Sequence, residues 1–184
     1  MSQYLTFPDL LTLENLESHM IHNEVGTYLR GDGENGLIRK VEIGSFEICR
    51  FSVTQALWEA VMGGNPSTFP IPQRPVESVS WEDCQYFLKN LNGGMERLFR
   101  LPTETEWEYA ARGRKNRLWE FSGSPNSKEV AYYQVLDNES DNTSQSMSQP
   151  LGLKLPNEFG LFGLSGNVWE WCQDKFSSEL RVRR

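Results

Sequence analysis

The chain has 184 residues, 38% of them hydrophobic and 23% charged, which suits one domain with its own core and is too little for two. Six tryptophans and ten phenylalanines exclude wholesale disorder. A net charge of −7 with an isoelectric point near 5.0 makes nucleic acid and membrane poor partners, because such a surface repels phosphate backbones and anionic lipid.

The opening "MSQYLTFPDLLTLENLE" has no basic start leading into an apolar run, so no secretory signal is expected. No stretch of about 18 apolar residues exists to span a bilayer. Three cysteines, an odd number without CxxC spacing, fit a reduced, cytoplasmic setting. Residues 1–19 read as a lead-in, with Leu10, Leu11, Leu13, Leu16 and Met20 loosely at helical spacing after Pro8. "GTYLRGDGENGLIRKVEIGSFEICRFSVT" reads as strands broken by a glycine-rich turn at Gly31 to Gly36, with Val41, Ile43, Phe46, Ile48 and Phe51 as the apolar positions.

Three capped helices are predicted next. Thr54 caps "QALWEAVM", which Gly63 and Gly64 stop. Ser80 caps "WEDCQYFLKNL", with Asp83 placed as the acid of a capping box and Cys84, Phe87, Leu88 and Leu91 on one buried stripe. Thr103 and Glu106 form a T-x-x-E box before "EWEYAAR", where Trp107, Ala110 and Ala111 face inward and Gly113 ends the helix. From Arg114 to Pro150 the chain is polar and irregular, and "LDNESDNTSQSMSQP" has almost nothing to bury. The whole reads as an α+β domain.

The blocks "GTYLRG", "VTQALWEAVMGGNPSTF", "RPVESVSWEDCQYFLKNLN", "FRLPTETEWEYAARG", "SGSPNSKEVAYY" and "PNEFGLFGLSGNVWEWCQD" occur in the order found in the formylglycine-generating enzyme family. From Met20 to Asp174 the chain resembles that sulfatase-modifying-factor domain, a variant of the C-type lectin fold. The resemblance implies a lead-in at 1–19 and a domain over 20–184, with short helices, small antiparallel sheets and much irregular loop. It also implies what active members do: they oxidise one sulfatase cysteine to formylglycine with O₂ and a copper(I) held by two cysteines, soft thiolates for a soft metal.

In the family those cysteines lie in a C-terminal segment after a glycine-rich strand. Here the sequence ends "SSELRVRR", so the closing C-terminal strands and the copper ligands are expected to be missing. The expectation is therefore an incomplete member that does not bind copper and lacks oxidase activity. The alternative is a lectin-type module that binds a protein, a peptide or a small ligand, of the kind some bacterial signalling proteins carry beside a kinase.

Residues 163–174, "GLSGNVWEWCQD", carry the site question. By the resemblance, a structural calcium loop would use the main-chain oxygens of Gly166 and Val168 and the carboxylate of Glu170. Gly163 replaces the usual Asn or Asp and removes one ligand, so calcium binding is expected to be weakened. The competing reading is a tight turn whose tryptophans are core and whose glutamate bonds backbone amides.

No catalytic residue and no copper ligand is assigned. Cys49, Cys84 and Cys172 read as packing residues, since His19 and His22, the chain's two histidines, lie far from Cys172 in sequence. Those histidines, three apart, are expected at the surface, and without a third ligand they make a poor zinc site. Glu104, Glu106 and Glu108 look like paired carboxylates, but alternate helix positions do not face each other, and negative charge suits a helix N-terminus.

Overall fold

The computed structural model describes residues 11–30, 39–113, 119–132 and 147–174. A 3-10 turn, Leu16–His19, leads into strand β1, Met20–Asn23. Among the described residues of the lead-in, the helical spacing yields this turn alone, where the Asn15 side chain bends back to accept from Thr12 N at 2.7 Å. Pro8 and Leu10 lie outside the described residues.

Strands β2, Gly26–Arg30, and β3, Arg39–Ile43, pair antiparallel, with Gly26 opposite Ile43 and Arg30 opposite Arg39. The expected turn at Gly31 to Gly36 falls outside the described residues. Gly44 and Ser45 then break the chain, and β4, Phe46–Cys49, pairs antiparallel with β1, Met20 opposite Cys49. Among the described residues each sheet has two strands. The observed architecture is α+β, short helices with small antiparallel sheets that close no barrel.

Helix α1 runs Gln55–Met62, with Thr54 Oγ1 accepting from Leu57 N at 3.1 Å and Gly63 closing it at φ 75°. Helix α2, Trp81–Gly93, and helix α3, Glu104–Arg112, begin with complete capping boxes at Ser80/Asp83 and Thr103/Glu106. A cap of this kind contributes about 1 kcal/mol, enough to fix where each helix starts. A fourth helix, α4, Ser127–Val130, is one turn long, capped by Asn126, and lies inside the stretch read as irregular. Most of "LDNESDNTSQSMSQP" lies outside the described residues.

The stripe of α2 packs as its spacing requires. Phe87 and Leu91 are buried, and Phe87 stacks on Trp58 of α1 with centroids 4.9 Å apart. Leu11 and Leu16 join them in the main core with Phe51, Leu57 and Leu151. A second cluster gathers Ile43, Phe46, Ala110 and Leu161 beneath Tyr109 and Phe159. Burying each large apolar side chain is worth about 1.5–3 kcal/mol, so these two clusters hold the loops between them in place.

Candidate functional site

Residues 160–174 form an irregular strip whose shape is set by glycine. Gly160, Gly163 and Gly166 have φ of 81°, 76° and 83°. At Gly166 a Cβ would fall 1.8 Å from the Tyr132 carbonyl oxygen, so only glycine fits. The close approach is a short parallel bridge: Tyr132 N donates to Ser165 O and Asn167 N to Tyr132 O, each at 3.1 Å. Asn167, at φ 69°, fastens the other side, accepting from Gln149 N at 2.7 Å and donating to Gln149 O at 3.1 Å.

Beyond this turn the chain alternates. Trp169 is fully exposed and Trp171 is 48% exposed, while Glu170 between them points inward. The expectation that both tryptophans are core is thus overturned; the extended backbone puts W-E-W side chains on opposite sides, and the glutamate takes the inner one. Glu170 Oε1 accepts from Ser52 Oγ at 2.6 Å and Oε2 from Trp107 Nε1 at 2.5 Å. Its donors are side chains, where backbone amides were expected. Burial pushes the Glu170 carboxyl above the usual range, and the Ser52 and Trp107 bonds pull against that.

The rest of the strip sews two helix starts together. Trp171 Nε1 donates to Val79 O and Trp81 Nε1 to Cys172 O, both at 3.0 Å, just ahead of and within the first turn of α2. Gln173 N donates to Pro102 O at 2.8 Å, and Asp174 Oδ2 accepts from Glu104 N, the first amide of α3, at 2.6 Å. Negative charge at that amide is where the helix dipole favours it.

The three calcium candidates therefore lie in one loop, and Gly166, Val168 and Glu170 line one open cavity of about 1340 Å³. Their donor capacity is already partly used. Gly166 O accepts from Val168 N at 3.0 Å, and both Glu170 oxygens are engaged.

Elsewhere the expected sites resolve into structure. The thiols of Cys49, Cys84 and Cys172 are free, and burial pushes each up to about 11. For Cys172 the negative charge of Glu170 adds to that. His22 is exposed on β1, but His19 is buried, contrary to expectation, with its ring edge-on to Phe51 at 5.4 Å. Ending the 3-10 turn, His19 is drawn in because its carbonyl accepts from Arg50 N at 2.8 Å.

The acidic trio divides: Glu106 turns away, but Glu104 and Glu108, four apart on α3, share a face, so the expectation that none of the three meet holds only for Glu106. Glu106 is the capping acid and forms a two-pronged pair with Arg100, at 2.6 and 2.7 Å. Glu104 and Glu108 both reach Arg30 on β2, at 2.9 and 3.0 Å, and Arg112 holds Glu108 at 2.6 Å. Arg30, Arg100 and Ser52 went unnoticed in the sequence: Arg30 and Ser52 meet partners far along the chain, and Arg100, six residues before Glu106, lies outside the helix whose spacing was read.

Comparison with known proteins decides the family. The model of the sulfatase-modifying factor enzyme 1-like domain matches residues 7–183. The chain belongs to that family. A chaperone protein LppX of Paenibacillus barcinonensis is 33% identical, over 73% of this chain and 64% of its own length. A formylglycine-generating enzyme of Thermomonospora curvata is 32% identical, over 70% of this chain and 42% of its own. A protein of Bos taurus named as an inactive C-alpha-formylglycine-generating enzyme 2 is 30% identical, over 72% and 44%.

Among solved structures, Treponema denticola variable protein 1 superposes with a TM-score of 0.70 at 27% identity, covering 86% of this chain and 73% of its own. This sulfatase-modifying-factor chain thus spans less than two thirds of the length of each of these sequence relatives. Among the described residues, no helix is long and apolar enough to cross a membrane.

Proposed function

We propose that this sulfatase-modifying-factor domain does not itself convert a sulfatase cysteine to formylglycine. The observation that carries the reading is the placement of its cysteines. Copper(I) takes thiolates. Cys49 on β4, Cys84 on α2 and Cys172 in the C-terminal strip are free thiols on three separate elements, and burial pushes each away from the thiolate form. On this reading these residues do not fit a copper centre. That a relative is named as inactive supports a fold not tied to the oxidase chemistry.

The test is direct. Incubated with a C-x-P-x-R peptide, copper and reductant in air, the chain should leave the peptide mass unchanged. Loss of the thiol mass would overturn the reading.

Calcium fits the loop weakly. A hard cation wants six to eight oxygens, and here Gly163 offers no side chain while Ser52 and Trp107 compete for the Glu170 carboxylate. Calorimetric titration is expected to show no saturation below about 10⁻³ M calcium. A saturating micromolar response would restore the site.

A second reading, a module for a protein or peptide partner, has one observation in its favour: Trp169 is fully exposed beside a half-exposed Trp171. The net charge of −7 favours such a partner over nucleic acid or anionic membrane. The first reading concerns chemistry and the second recognition, so the peptide assay leaves the second standing whichever way it falls.

A further inference from the structure

We draw no further inference here: the strongest candidate, the apolar cavity of about 390 Å³ between β4 and the strip that carries Trp169 and Trp171, is an unpartnered face of the core, and nothing in the structure shows what covers it.

Discussion

Gln55 and Glu170 each hold a loop from inside the fold, one with a neutral amide and the other with a carboxylate. Gln55 is fully buried, and its amide makes four bonds. Nε2 donates to Phe69 O at 3.2 Å and Pro75 O at 3.3 Å, while Oε1 accepts from Asn65 Nδ2 and Ile71 N, both at 2.9 Å. Two donors and two acceptors are all such an amide has, so nothing is left unmet.

Glu170 has two donors for a group with room for about four, and neither donor is a cation. The amide therefore suits a closed interior, whereas the carboxylate carries a desolvation cost that its neighbours only partly offset. Position follows chemistry. The partners of Gln55 come from the next twenty residues, and those of Glu170 from 118 and 63 residues away. One hub shapes a local turn; the other ties distant elements.

If that contrast is right, the largest loss should come at Gln55. Gln55→Leu keeps the volume roughly and strips all four bonds, leaving two carbonyls and two N–H donors to find other partners. Each buried group left unmet costs about 1–3 kcal/mol, and some will reach water, so a total near 4 kcal/mol is expected. Urea denaturation measures it. A loss under about 1 kcal/mol would mean that the loop from Asn65 to Pro75 stands without its hub.

At Glu170 two variants sharpen the comparison. Glu170→Ala removes both acceptors and opens a void beside Trp107, for an expected loss of about 2–3 kcal/mol. Glu170→Gln keeps an oxygen for the Trp107 N–H and offers an N–H to the Ser52 oxygen, while shedding the charge. Its loss should stay within about 1 kcal/mol, because the lost charge was the unfavourable part. Equal losses in the two variants would show that the negative charge itself holds the strip, and the contrast with Gln55 would fail.

Local chemistry made much of the fold legible. Ser80 and Asp83, or Thr103 and Glu106, stand three apart, and a capping box needs nothing beyond that spacing. The stripe of α2 and the glycine stop after α1 are equally local. The inward turn of Glu170 was not legible, because it depends on Ser52 and Trp107 arriving from other elements. His19 failed for the same reason: its burial rests on Arg50 and Phe51, and its own neighbours in sequence give no sign of it. The one-turn α4 was hidden by polar composition, since Asn126 and a single buried Val130 make too short a period to see. The family, by contrast, was readable from ordered blocks and matches over residues 7–183.

A third acid completes the series with the smallest effect. Glu106 has what Glu170 lacks, a cation: the Arg100 guanidinium beside it holds its carboxyl below the usual range, against the opposing pull of burial. A folded pKa lowered in this way adds stability that is complete above the unfolded value and fades as pH falls through the folded one. Glu106→Gln keeps the capping box, since Gln serves as well at that position, and removes the charge together with one of the two Arg100 bonds, because the amide nitrogen cannot accept. At pH 7 the variant should lose about 0.5–1 kcal/mol, a modest figure because Arg100 is 56% exposed and screened by solvent. The gap between the two proteins should narrow as the pH falls below the unfolded value and through the lowered folded one, read as converging urea midpoints. A gap that does not narrow at all as the carboxyl is titrated would place the contribution of Glu106 outside its charge, and a charge with a cation would then count for no more here than one without.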